Sequence, residues 1–557
     1  MSQHAVPLKG QADESPTGLK ALLCEADFLK SERSTTESHW ADIAEITRPL
    51  RNEIRGPQTP GNKRMTRVFD ATAINAAQNM AAGLYGTAAN PATIWFKLSD
   101  LDPDFSKWSG VRPWFDVVSR RLLASFGSSF SSFYAQAPSV FLDIASLGNS
   151  VMSSEMAEDR SRFRDICRPI SECYWDVNAD GEVDQLYRRP KSLTAAQALK
   201  MFGADKVSPK LKKLAGDEPN ALVDIIHAVV PNDRFQRGMF GHAGKAFVSV
   251  YFEVETMHEI SRGGFDDFPY FAPRWEVAAG EKYGRGPGEI ALADNRSLQV
   301  MTKTNLQAGE LAGNPPWGAP DEGRISVVRT APGKVTYGAI NSRGDQMLKR
   351  LVENVNTPFS LEMANQLREA IKDAFFFSVM QLVGRTGMTA TEVLERNEEK
   401  MRLMGPYLGR IQSEFLTPLV MRRFRLLQKI PGVFPPPPRE MQGRTLQIEF
   451  TSPMALAQKS AAAAGVLRAV QGIGMIATVA PEALDKLNGD VAADLVADGY
   501  GVPSIINDDE TTAAKRKNRI AQQQMQTALA AAQPLADAAH KGAQAVATVQ
   551  NPQQQAA

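Results

Sequence analysis

The sequence predicts an α+β fold, mainly helical, built from several parts. Three observations carry this. Apolar residues recur at helical spacing toward both ends of the chain. The middle alternates polar and apolar residues around turn signals. At 557 residues, the chain exceeds the roughly 150 usual for one domain.

The first element runs over 17–50, where Leu22, Ala26, Leu29, Trp40, Ile43 and Leu50 share one helical stripe. Pro49, Gly56, Pro57, Pro60 and Gly61 end it in a loop. An alanine-rich helix is expected over 71–84, a short strand over 94–98, and a helix over 111–134, weakened at its end by Ser128–Ser132. Glu172 to Arg189 reads as a β-hairpin turning at Asn178-Ala179-Asp180-Gly181. Thr194 caps a short helix that stops at Gly203. Strands are expected over 222–230, 246–255 and 274–278.

Glycine-rich 280–288 precedes a helix over 289–312. A Gly/Pro-dense stretch follows over 313–338, with strand-like runs at 325–329 and 334–337, and a helix resumes near Arg343 and reaches Asn356. Thr389-Ala390-Thr391-Glu392 is a capping box opening a long helix. In it Met401, Met404, Leu408, Ile411 and Phe415 mark a buried face, with bends at Pro406 and Pro418. Pro435–Pro438 breaks the chain, 446–450 is a short strand, and 453–496 is an alanine-rich helix. From Thr511 the composition becomes Ala- and Gln-rich without aromatics, a tail that is disordered or helical only against a partner.

Hydrophobic residues make up 43% of the chain, enough for a core. With 63 basic and 62 acidic residues the net charge is +1, which argues against a DNA-coating polycation. Three cysteines cannot scaffold a chain this long, so a reducing compartment is expected. No signal peptide is legible, and the longest apolar run, 374–383, is too short for a bilayer. A soluble intracellular protein with no membrane insertion is expected.

Enzyme signatures fail. Gly241-His242-Ala243-Gly244-Lys245-Ala246 lacks the P-loop's first glycine, and Ala246 stands where Ser or Thr would hold magnesium; a turn between strands explains it. Gly284-Arg285-Gly286-Pro287-Gly288 lacks dinucleotide-loop spacing and reads as a tight bend before a helix. Asp176, Asn178, Asp180 and Gly181 imitate a calcium loop, but Tyr187 occupies the position of its bidentate glutamate. The six histidines are scattered, and Cys167 and Cys173 have no second pair to close a zinc site. A non-enzyme without catalytic residues, metal or cofactor is expected.

Several segments occur in a telling order. Arg274-Trp275-Glu276 leads to Tyr283–Gly288 and Leu292-Ala293-Asp294; Met388–Val393 is followed by Glu398-Glu399-Lys400 and Leu408–Glu414; Thr451-Ser452-Pro453 opens the alanine-rich helix. The hairpin followed by Leu193-Thr194-Ala195 and Phe202-Gly203 fits the same order. Over roughly 17–510 this resembles the head-to-tail connector, or portal protein, of short-tailed bacteriophages (podoviruses).

The resemblance implies a ring, usually of twelve copies, at one capsid vertex, with double-stranded DNA packaged and ejected through its channel. It implies a portal-type subunit with these parts: a flexible N-terminus (1–16), a wing (17–285), a first stem helix (286–312), a clip (313–340) and a second stem helix (341–372). A channel-loop candidate (373–388), the wing's long helix (389–450), a crown (451–510) and a tail (511–557), disordered or forming a helical barrel, complete it. Implied partners are the major capsid and scaffolding proteins, the terminase large subunit, tail adaptor or tail-tube proteins, and DNA. The implied place is the virion, after assembly in the host cytoplasm. Because phosphate contacts add affinity through counterion release, a conduit needs sparse cations. Arg296, Arg343, Lys349 and Arg350 are the DNA-channel candidates; the alternative is surface pairing with Asp294, Asp345 or Glu353 across subunits. Lys515, Arg516, Lys517 and Arg519 form a basic patch for packaged DNA or internal head proteins, or else a solvated tail. Competing readings are another self-assembling virion component and, further off, a DNA-processing enzyme.

Overall fold

The structure is a computed structural model. It describes residues 17–318, 339–350, 358–380, 403–477, 480–499 and 512–526, with short gaps at 52–53, 57–58, 60, 103–104, 107, 109, 128, 158, 341–342, 452, 481 and 483–486. Over these residues the fold is α+β and mainly helical. Its strands are β1 Phe96–Asp100, β2 Val151–Met156, β3 Phe163–Arg168, β4 Cys173–Val177, β5 Val183–Arg188, β6 Ile225–Pro231, β7 Phe247–Glu253, β8 His258–Phe265, β9 Tyr270–Phe271, β10 Trp317–Gly318, β11 Lys349–Arg350 and β12 Leu446–Phe450. The chain forms two compact units, one of 1–98, 118–436 and 448–452, the other of 99–117, 437–447 and 453–557.

The first unit centres on an antiparallel sheet in the order β4-β5-β6-β7-β8. The expected hairpin is β4–β5, with Gly181 at φ 80° in its turn and the Asn178 side chain accepting from the N–H groups of Asp180 and Glu182. Strand β6 is buried on both faces, which its near-continuous apolar run requires. Ile226, Ala228 and Val230 meet Leu22, Ala26 and Leu29 of the Leu19–Glu32 helix. Val229, on the opposite face, joins Trp40, Ile43, Trp175 and Tyr283. Beside Val229, the buried His227 stacks on Tyr251 with ring centres 3.8 Å apart. Its Nδ1 lies 2.7 Å from the Tyr270 hydroxyl and its Nε2 2.9 Å from the Ser249 hydroxyl. Burial, with Arg188 and Arg168 nearby, holds its pKa well below the ordinary value.

The element expected over 17–50 is two helices, Leu19–Glu32 and Ser34–Thr47. They join at buried Arg33, whose guanidinium donates to the carbonyls of Ile170 and Cys173, pairs with Glu37, and lies 3.9 Å from the Tyr174 ring centre. The helix expected over 111–134 ends at Ala124, and a second runs Phe133–Leu147. The break is held by Ser131 and Ser132, whose hydroxyls bond Asp165. Thr194 and Gln197 form a reciprocal capping box ahead of the Ala195–Phe202 helix. The look-alike P-loop is a tight turn, Gly241–Gly244, between β6 and β7.

Three expectations are corrected. Residues 274–278 make single bridges, Asn149 with Arg274 and Glu276 with Arg285, because their neighbours are a glycine segment and a helix end. The helix expected from Arg343 to Asn356, part of the 341–372 stem segment, is absent over 343–350. Gly344 there takes φ 90°, which no helix accepts, and Lys349–Arg350 is strand; residues 351–357 lie outside the described residues, and Pro358, a favoured first position, opens the helix Pro358–Ala374. The 453–496 helix is two helices, Pro453–Ala477 and Gly489–Gly499. The strand-like runs at 325–329 and 334–337, the Thr389 capping box and the tail beyond 526 lie outside the described residues. Of the face named for the long helix, Met404, Leu408, Ile411 and Phe415 are buried. A widened π turn, Gln412–Leu416, precedes Pro418, which cannot donate to the Glu414 carbonyl.

The glycine segment does more than bend. Gly148 ends the Phe133–Leu147 helix at φ 73°, and the chain at Gly284–Gly288 crosses it backbone to backbone. A Cβ at Gly286 would stand 2.4 Å from Gly148 N, and one at Gly288 2.1 Å from Ser146 O. The Asn149 amide accepts from Gly284 N–H at 2.7 Å and donates to Gly284 O at 2.5 Å.

In the second unit, helices Pro453–Ala477 and Gly489–Gly499 pack together. Arg444 bonds Asp100 at 3.0 Å and covers the Phe105 ring.

Gly286→Ala is expected to cost about 3 kcal/mol by thermal melting, since backbone must move to admit the methyl. Gly216→Ala, in a helix with open space around it, should be neutral or stabilising; equal effects would refute the crossing. His227 sets a pH dependence. Its folded pKa is depressed, so below about pH 6.5 the unfolded chain binds the extra proton and stability falls, by up to about 1.4 kcal/mol per pH unit. His227→Asn should flatten that slope between pH 7 and 5.

Candidate functional site

The glycine crossing launches the elements that carry the candidate residues. A short helix, Pro287–Ile290, leads into Leu292–Gly313. Asn295, Leu298 and Gln299 face inward at three- and four-residue spacing. The Gln299 side chain accepts from the N–H groups of Phe69 and Asp70, at 2.7 and 2.9 Å, and donates to Asp70 O. Beyond this anchor Val300, Leu306 and Leu311 are exposed.

Helix Pro358–Ala374 runs back alongside. Ser360 donates to Asn305 at 2.6 Å, and Arg368 bonds the same Asp70 at 2.9 Å, so the two helices are antiparallel. Burial would raise the Asp70 pKa, but the Thr72 hydrogen bonds and then the Arg368 ion pair outweigh it and lower the value. Between the helices, β10 pairs antiparallel with β11, Trp317 opposite Arg350 and Gly318 opposite Lys349.

Arg296 is exposed and lies 2.7 Å from Asp42 of its own chain, not from Asp294. Arg343 sits in an exposed turn, and Lys349 is exposed on β11. Arg350 is placed by its backbone on β11, its side chain being outside the described residues. Arg296 lies seventeen residues before the end of its helix, about 25 Å from the β10–β11 ladder. The four candidates are therefore one cation near the root of the helix pair and three at its far end. Lys515, Arg516, Lys517 and Arg519 are exposed on a helix over 512–526, where Arg516 bonds Asp490 with both terminal nitrogens.

Sequence reasoning missed the node formed by Asp70, Gln299 and Arg368. Its one legible signal was two amides, Asn295 and Gln299, on the same buried stripe as Leu298. It also missed the aromatic stack where Trp275 lies flat on Tyr407, centres 4.1 Å apart, beside Phe376. Phe376 takes φ 53°, a conformation costly for a bulky residue, between Ala374 and the Phe377–Met380 turn of helix.

Burial, with Asp143 adjacent, pushes the Cys167 thiol up to about 12, and burial does the same to Cys173. Among the described residues no three His, Cys, Asp or Glu side chains group to hold a metal. No described helix is long and apolar enough to cross a membrane.

The sequence was compared with known proteins. The model of the family described as "Bacteriophage head to tail connecting protein" matches residues 19–506. The "Portal protein" of Salmonella phage epsilon15 is 33% identical over 532 residues, 94% of this chain and 95% of that protein. The "Probable portal protein" of Bordetella phage BPP-1 is 32% identical over 524 residues, 91% and 92% of the two chains. A chain from the virion of a native gene transfer agent particle aligns over 77% of this chain and 95% of its own at 11% identity, with a TM-score of 0.36, too low to carry an argument.

Arg296→Ala is expected to change thermal stability by less than about 1 kcal/mol, since its ion pair is exposed. A larger loss would mean that Arg296 belongs to the fold and cannot report on DNA.

Proposed function

The chain belongs to the bacteriophage head-to-tail connecting protein family and is a phage portal protein, and on that premise we propose that it closes into a ring of twelve at a capsid vertex. Double-stranded DNA is packaged and ejected through the hole, and the ring docks the terminase on packaging and the tail afterwards. The observation that carries this is the family match along nearly the whole chain, 19–506, together with two portal relatives covering more than nine-tenths of it.

The portal layout is mapped onto the chain in the same spirit. The 17–285 region is the wing, and the antiparallel helices Leu292–Gly313 and Pro358–Ala374 are the stem. The chain between them is the clip, 373–388 the channel loop, 389–450 the wing's long helix, and 451–510 the crown. Two antiparallel helices, with a β ladder between them along the chain, support the stem and clip. In this layout Arg296, Arg343, Lys349 and Arg350 supply sparse rings of positive charge, and the 512–526 patch faces packaged DNA or internal head proteins. Twelve copies turn each exposed cation into a ring, so few are needed. Because each phosphate contact adds affinity, a conduit that lets DNA slide keeps them few. Capsid and scaffolding proteins, terminase and tail adaptor are the partners, with assembly in the host cytoplasm.

The test is mass and shape of the purified chain, by light scattering after gel filtration and electron microscopy of the same fraction. A ring with a central hole and a mass of about 730 kDa, twelve times the 60.8 kDa chain, is expected. A monodisperse monomer that hydrolyses ATP or cleaves DNA would overturn the proposal.

A further inference from the structure

The turn that imitates a P-loop belongs to a loop with another use. Residues 232–246 join β6 to β7 and carry the most exposed large apolar side chain of the described residues. Phe240 is 100% exposed, with Met239 at 56% and Phe235 at 46%. The loop is nonetheless firmly built. The Asn232 amide donates to the carbonyls of His242 and Lys245, and its oxygen accepts from Arg234 N–H. Gln236 N–H bonds Ala243 O, and a Cβ at Gly244 would stand 1.8 Å from Met239 O, so the chain closes tightly on itself. Three large apolar groups held outward on a rigid loop form a preorganised contact surface. Arg234 and Arg237 flank them, exposed, without a carboxylate partner among the described residues; Asp233 is the loop's one acid.

The same unit holds a complementary surface. A cleft of about 1310 Å³ is walled by apolar Phe268, Val277 and Met421 and by the acids Asp180, Glu182 and Asp184 of the β4–β5 hairpin. Its own cations are already used: Arg274 and Arg410 on Glu414, Lys282 on Glu32 and Asp176, Arg425 on Asp267. The three hairpin acids have no cation partner among the described residues. Burial, and then the nearby Asp176 and Glu182, raise the Asp184 pKa, the condition of a carboxylate short of positive charge. Only the flanks of the 232–246 loop, Pro231 and Ala246, line the cleft; its tip does not fill it.

We propose that the Phe235–Phe240 tip of one copy seats in the acidic, apolar cleft of the next copy in the ring. Phenylalanine and methionine meet the apolar wall, and Arg234 and Arg237 meet the hairpin carboxylates. Tip and cleft are different surfaces, so the contact is head-to-tail, the kind that repeats around a closed ring. The inference rests on the ring reading and adds which residues close it.

The test uses the full chain, with Phe235, Met239 and Phe240 all changed to Ser, by light scattering and electron microscopy over a dilution series. The wild-type ring should persist at dilutions where the variant is monomeric, its dissociation raised about tenfold or more, with an unchanged circular dichroism spectrum. Arg237→Glu should weaken the ring likewise, and Glu182→Lys in the same chain should restore it. Variant rings as stable as wild type would overturn this inference alone. So would normally stable rings that fail to enter procapsids, which would assign the tip to the capsid shell. A wild-type chain that stays monomeric and hydrolyses ATP or cleaves DNA would overturn the ring reading and this inference with it.

Discussion

The backbone crossing of Gly148 with Gly284–Gly288 is the constraint from which the rest of the first unit hangs. Two chain segments approach so closely that no side chain fits at 148, 286 or 288. Asn149 then locks the approach with two hydrogen bonds to Gly284, and Trp275 N–H bonds Gly148 O. What lies upstream is the sheet and its helices; what lies downstream is the helix pair that carries the candidate conduit residues. The direction in which Leu292–Gly313 leaves the body is set here, and Gln299 fixes it again two turns later.

Buried charge makes the second set of ties. Arg423 and Asp165 are both fully buried and paired, with the Ser125 carbonyl accepting a further bond and the rings of Phe126 and Phe163 close to the guanidinium. Arg48 and Arg51 converge on Asp143, and Arg274 holds Glu414. Such pairs add little net stability, because desolvation offsets their attraction, but losing one partner strands a charge. Each joins segments far apart in sequence: 423 to 165, 51 to 143, 274 to 414. They fix which surfaces meet, while the apolar clusters supply most of the drive to bury.

Legibility followed the range of the interaction. The β4–β5 turn and the Thr194 cap were readable because the residues that make them are neighbours. The break at Arg33 was hidden, because the carbonyls that hold it lie some 140 residues away. Strands β2, β3 and β8 were missed: Ser, Glu, Arg and Gly within them leave little periodic apolar signal. Gly344 at φ 90° breaks the helix expected from 343, a constraint that lies in the backbone angle and not in the apolar pattern. Among the candidate site residues, charge and order in the chain were visible, whereas Arg296 pairing with Asp42 and the distance between Arg296 and Lys349 were not.

The sequence by itself determined the class of the protein. Its ordered segments from Arg274 to Pro453 carried the family, its near-neutral charge argued against a DNA-coating role, and its local turns and caps placed many of the elements. The tertiary structure alone decided how those elements meet. The glycine segment became a crossing, the false P-loop became a rigid apolar tip, and the hairpin acids became one wall of a cleft. The reason is physical: turns and caps are settled among residues a few positions apart, while close approach, burial of charge and exposure of an apolar side chain depend on what the rest of the chain brings alongside.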